Sequence, residues 1–152
     1  MAPVIVIGTD GSAGGDAALG FAVGEARLRE LPLRIVCAWQ TPDSSYIGEA
    51  FAPTADAVLE AEQHAEAVLR AALAQLPTEN PLQAEALAVE GHPAAVLIEH
   101  AGDAALLVVG SRGRGAAASV LLGSVSQSLA HQAPCPLVIV PPENVVAGRS
   151  AH

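Results

Sequence analysis

The sequence contains no lysine. Its seven basic residues are all arginines, set against 16 acidic residues for a formal charge of −9. Without lysine there is no Walker A phosphate loop and no Schiff-base chemistry. The acidic excess argues against unaided binding to DNA, RNA or an anionic membrane. Cysteine is almost as scarce. Cys37 and Cys135 form no CxxC pair and sit in apolar surroundings, which predicts two buried thiols rather than a redox centre. No apolar run approaches the roughly 20 residues of a membrane span. The opening MAPVIVIGTDG breaks at Gly8 and lacks the charged start of a signal peptide. These absences predict a cytoplasmic protein with no membrane association.

What remains is a chain of 152 residues, about half of them hydrophobic and 15% charged. That suits one globular domain with a proper core. Short aliphatic runs alternate with longer amphipathic stretches. Residues 3–8 (PVIVIG) are too short for a helix and rich in β-branched side chains, so they read as a buried strand. Ser12 suits a helix cap, and residues 13–30 carry helical spacing. Further strands are expected at 33–40, 82–91, 105–110 and 136–140. Further helices are expected at 54–76, 93–102 and 124–132. Five strands separated by helices imply a doubly wound α/β fold: an open sheet of five parallel strands with helices on both faces. The domain is expected over residues 1–142, followed by a flexible C-terminal tail, 143–152.

Ligands of such folds bind beyond the carboxyl ends of the strands, where strand order reverses. Order 3-2-1-4-5 makes neighbours of the loops after strands one and four. The flavodoxin-like order 2-1-3-4-5 does not. The loops in question, GTDGS and GSRGRG, are the two richest in the chain, and the third strand is the least apolar, as an edge strand should be. The order 3-2-1-4-5 is therefore expected. In the second loop Gly110, Gly113 and Gly123 permit positive φ or close approach of backbone amides to a phosphate. Ser124, Val125 and Ser126 then form the first turn of a helix, whose N–H groups and dipole favour an anion. Ser124 and Ser126 add hydroxyl donors. The plainer reading is that these glycines only permit turns and a helix cap.

The spacing Gly110-x2-Gly113-x9-Gly123-Ser124, with VIGTDGS, GHPAAVLIEHA and PCPLVIV in order around it, resembles the nucleotide-binding signature of the universal stress protein family, ATP-binding type. The resemblance covers nearly the whole chain and agrees with the sheet order above. It implies a site of Thr9 and Asp10 after the first strand, and of Ala38, whose backbone addresses the adenine. Val109 would flank the base, and Gly110, Arg112 and Gly113 would line ribose and phosphates. Gly123, Ser124, Val125 and Ser126 would hold the terminal phosphates. It also implies ATP as ligand, with Mg²⁺ or Mn²⁺ riding on the phosphates, and a homodimer formed through residues 136–140. An apolar edge strand needs cover, either from such a partner or from the C-terminal tail, and the homodimer is the favoured expectation.

Several residues keep two readings. Asp10 is either a nucleotide partner or the turn residue of GTDGS. Arg112 and Arg114 either steer a polyphosphate or form a solvated loop. Trp39, Tyr46 and Phe51 either lid an adenine or pack their own loop down. GRGAAA imitates a dinucleotide fingerprint but follows the fourth strand, with APCPLV where an acidic residue is needed. His64, His92, His100 and His131 show no metal spacing, and His131 with Cys135 reads as a helix end rather than zinc. A nucleotide-binding regulator of stress responses is the leading expectation. The alternatives are a slow ATPase or autophosphorylating enzyme with Ser124 or Ser126 as acceptor, a binder of AMP or cyclic AMP, and a nucleotide-independent interaction module.

Overall fold

The computed structural model describes residues 3–41, 54–113 and 122–142. Among these residues five strands and four helices alternate: β1 (Val4–Gly8), α1 (Ala13–Arg29), β2 (Leu33–Trp39), α2 (Ala55–Ala74), β3 (Ala84–Glu90), α3 (Pro93–His100), β4 (Ala104–Gly110), α4 (Ser124–Gln132) and β5 (Leu137–Val140). The strands form one sheet in the order β3-β2-β1-β4-β5, every neighbouring pair parallel. The expected architecture and strand order are both present.

The pleat explains how continuous aliphatic runs serve both faces, since successive strand side chains point to opposite sides. Ile5, Ile7, Leu33, Ile35, Leu106 and Val108 pack on one side, under α1 and α2. Val4, Val6, Val36, Leu107 and Val109 pack on the other, with Leu97 of α3 and Leu129 of α4. The two edge strands differ from this centre. No residue of β3 or of β5 is fully buried.

Element ends follow their capping chemistry. Ser12 accepts the Gly15 amide ahead of α1, and Thr54, expected as helical, instead caps α2 by accepting the Ala57 amide. Glu30 ends α1 in the left-handed region (φ 56°), and Leu31 N–H reaches back to the Ala26 carbonyl. At the amino ends of the strands Arg34 bonds Glu85 of β3, Asp103 and the carbonyl of His100. The hydrogen bond to Glu85 chiefly holds its guanidinium above the ordinary arginine value.

The cysteines depart from expectation. Cys37 is buried on β2, but Cys135 is only half-buried, in the turn before β5. That turn lies at the outer edge of the sheet, where no described strand covers it. Partial burial still pushes the Cys135 thiol up, opposed in smaller measure by a hydrogen bond with the Leu107 backbone. The neutral thiol therefore persists to a higher pH than in a free cysteine, and the thiolate is the reactive form. Alkylation of native protein by iodoacetamide is expected to start at higher pH than that of a cysteine peptide, with full reactivity of both thiols only after unfolding. Rapid labelling at pH 7 would contradict this.

Candidate functional site

The two halves of the sheet diverge at β1 and β4. From β1 the chain turns onto one face as α1, and from β4 it passes to the other face as α4. Their carboxyl ends therefore border an open crevice. A cleft of about 620 Å³ lies there.

All eleven residues expected at a site line this one cleft: Thr9, Asp10, Ala38, Val109, Gly110, Arg112, Gly113, Gly123, Ser124, Val125 and Ser126. Gly8, Gly15, Val36, Pro93, Leu97, Leu122 and Gln127 line it too and were not anticipated. Val36 was within reach of sequence reasoning, because it lies two residues before Ala38 on the same face of β2. Pro93 and Leu97 carried no local signal. They join the cleft because the crossover sets α3 beside β2 and α4, with Leu97 over Gly8 at the end of β1.

The cleft has an apolar side and a polar side. Val36, Ala38, Leu97 and Val109 continue the hydrophobic core beneath α3 and α4. Opposite them stand the turn after β1, the end of β4 and the start of α4. Asp10 is a turn residue, its Oδ1 accepting the Ser12 amide at 3.0 Å, and it also lines the cleft. Asp10 and Arg112 are the two ionisable residues of the described lining.

The glycines act through close approach, not through unusual backbone angles. Among the described residues positive φ glycines are Gly11 and Gly91; Gly110, Gly113 and Gly123 are not among them. A Cβ on Gly110 would lie 2.7 Å from the carbonyl oxygen of Gly14, and one on Gly113 would lie 2.6 Å from Oδ2 of Asp10. Gly110 thus lets the end of β4 rest on the backbone at the start of α1, and Gly113 lets the loop beyond it approach the Asp10 side chain.

Gly123 is different. A Cβ there would meet Arg112 and Ser111 at 3.5 Å or more, ordinary contact distance. Its consequence is at α4, where it is the N-cap and offers no side chain to the first turn. Ser12 and Thr54 satisfy first-turn amides of α1 and α2. The amides of Ser124, Val125 and Ser126 receive no such cap, and these residues face the cleft. The helix start thus keeps its affinity for an anion.

The hydroxyls of that turn are unequal. Ser124 is exposed. Ser126 is 2% exposed, and its Oγ donates within the protein, with the Ser111 carbonyl at 2.9 Å and that of Gly123 at 3.1 Å. The expected second hydroxyl donor is therefore engaged. Trp39 packs against the core cluster under α1 and α2, which favours packing over a lid; Tyr46 and Phe51 lie outside the described residues. So do Arg114 and the tail 143–152. Among the described residues no group of three or more His, Cys, Asp or Glu side chains could hold a metal ion, and no helix is long and apolar enough to cross a membrane.

The model of the universal stress protein family matches residues 1–141. The chain belongs to this family. It is 35% identical to a universal stress protein of Thermus aquaticus over 144 residues, covering 92% of this chain and 99% of the relative. A universal stress protein of Mycobacterium tuberculosis is 34% identical over 149 residues, 98% of this chain but 52% of the relative. This chain thus spans about half the length of that mycobacterial protein. Among solved structures, UspA of Lactobacillus plantarum shares the fold with a TM-score of 0.76 at 20% identity, over 91% of this chain and 97% of that one. A universal stress protein solved in complex with cAMP has a TM-score of 0.70 at 29% identity, over 93% of this chain and 98% of its own.

Proposed function

We propose that this universal stress protein binds an adenine nucleotide, ATP foremost, in the crevice between β1 and β4, and acts in the cytoplasm as a nucleotide-responsive regulator of stress responses. The observation that carries the reading is the uncapped first turn of α4 facing a cleft with an apolar opposite wall. The base fits against Val36, Ala38, Leu97 and Val109, and the phosphates fit at the amides of Ser124, Val125 and Ser126, with Gly110 and Gly113 between. Thr9 and Asp10 border the ribose and phosphates, with Arg112 beside them. With no lysine in the chain, the charge of a triphosphate calls for a divalent cation. Mg²⁺ or Mn²⁺ would ride on the phosphates and neutralise them there, keeping most of its waters.

A second copy of the chain is the partner that fits β5. Leu137, Val138, Ile139 and Val140 are all partly exposed on a strand with one neighbour, an edge that pairing across a two-fold would cover.

Cyclic AMP is the second reading, supported by the complex of the relative at 29% identity. Calorimetric titration with Mg-ATP, AMP, cyclic AMP and adenosine separates the two. ATP is expected to bind at least tenfold more tightly than adenosine, a difference of about 1.4 kcal/mol from added phosphate contacts. Preference for cyclic AMP over ATP would move the assignment to the second reading. No heat with any of the four would overturn both.

A further inference from the structure

Ser126 stands in the phosphate-binding turn, yet its side chain faces away from the role expected of it. A serine hydroxyl has one proton to donate. In Ser126 that proton lies between the carbonyl oxygens of Ser111 (2.9 Å) and Gly123 (3.1 Å), in a side chain only 2% exposed. An ionised phosphate offers acceptors alone, so this hydroxyl has nothing left to give it. The same Ser111 carbonyl also accepts the Gly123 N–H at 2.6 Å. Two bonds from the cap and first turn of α4 therefore converge on one oxygen at the end of β4. The Ser111 N–H is donated in turn to the Val140 carbonyl of β5 at 2.9 Å, which holds that residue from its other side.

We propose that Ser126 is a positioning residue of the nucleotide site. Its side chain pins the first turn of α4 to the end of β4, so that the amides of Ser124 and Val125 meet the phosphates in one orientation. The hydroxyl makes no bond to phosphate itself; the Ser126 amide belongs to the turn that it orients. The assignment rests on the nucleotide reading above.

The test is Ser126→Ala in the full chain, followed by amide hydrogen exchange without ligand and by calorimetry with adenosine, AMP and Mg-ATP. If the hydroxyl is a pin, its loss acts before any ligand is present. Exchange of the Gly123 amide is then expected to quicken about tenfold, as befits loss of one typical hydrogen bond. Affinity for AMP and ATP is expected to fall by about tenfold, while adenosine binds as to the wild type. Unchanged Gly123 exchange with weakened ATP binding would make Ser126 a direct phosphate ligand and overturn the proposal. An equal loss for adenosine would reduce it to a general fold contact, also overturning it. Should Ser126→Ala not fold, Ser126→Thr carries the test. It retains a hydroxyl at the same Cβ, able to donate to the Ser111 carbonyl, so ATP affinity stays within about threefold of wild type, and a larger loss would overturn the pin. A wild-type protein that binds none of the three ligands fails the nucleotide reading itself, and the positioning role with it. Binding by the wild type leaves the Ser126 results to decide the proposal alone.

Discussion

Gly123→Asp is expected to raise the melting temperature of the protein and, in the same molecule, to abolish its binding of nucleotide phosphates. Both effects have one cause. Gly123 caps α4 without a side chain, and a Cβ at that position meets its neighbours only at ordinary contact distance, 3.5 Å or more. An aspartate is among the preferred N-cap residues, and its carboxylate accepts from the second or third helical amide. Its charge also suits the positive end of the helix dipole. Together these are worth about 0.5–1 kcal/mol, or roughly 1–4 °C for a chain of this size. The amides it takes are those offered to phosphate, and its charge repels the ligand. Losing charge-assisted bonds of about 1.5–3 kcal/mol each weakens ATP at least a hundredfold. Thermal melting and calorimetry on one preparation check both signs. A variant that melts higher and still binds ATP within threefold of the wild type would place the phosphates elsewhere. One that melts lower would show the cap to be less accommodating than its distances indicate.

The second large effect is a contrast within one helix. Gly14→Ala is expected to destabilise the protein by about 2 kcal/mol, roughly 4–8 °C, because forced overpacking against rigid atoms costs about 1–3 kcal/mol. A Cβ on Gly14 would run into the carbonyl oxygen of Arg112, and that oxygen belongs to backbone, with no flexible side chain to yield. Gly24→Ala, ten residues along α1, is expected to do the opposite. Nothing lies within 4 Å of its Cβ, so the gain in helix propensity of about 1 kcal/mol stands unopposed. Urea denaturation of the two variants reads the difference. Because Gly14 seats the segment from Gly110 to Gly113, ATP affinity should also fall in Gly14→Ala and stay unchanged in Gly24→Ala. Equal shifts in stability for the pair would mean that this close approach is not a constraint.

Much of the fold was legible in the residues. The run VIVI admits no helix, and Ser12 ahead of thirteen or more helix-compatible positions marks where α1 begins. The strand order followed from where the glycine-rich loops fell and from the weak apolar character of β3. These inferences succeeded because period, capping and turn chemistry act over a few residues at a time. Cys135 shows the limit. Its apolar neighbours in sequence suggested burial, but burial depends on whether another element lies beyond β5, and none of the described ones does.

The cleft divides in the same way. Strand order placed Asp10, Gly110 and Gly123 together, since it makes neighbours of the loops after β1 and β4, while Ala38 came from the family resemblance; all four line the one cleft. Sequence did not find Pro93 and Leu97, since no local pattern tells which helix closes the cleft's apolar side. Nor could it say why the glycines are there. Positive φ is a local property, and the described glycines of the loop do not use it. The reason for Gly110 is the approach of two backbones far apart in the chain, its own and that of Gly14.

By itself, then, the sequence determined the α/β class, the order of elements and the absence of a lysine-based phosphate site, and it marked the loop proposed to hold an anion. Tertiary structure decided what each atom of that loop is available to do. The Ser126 proton is committed to Ser111, the α4 amides keep no side-chain cap, and Asp10 is held in its turn by the Ser12 amide. Composition and spacing record which groups exist. Whether a donor remains available depends on what has packed against it, and the pairing of residue 126 with residue 111 exists only once β4 and α4 have met.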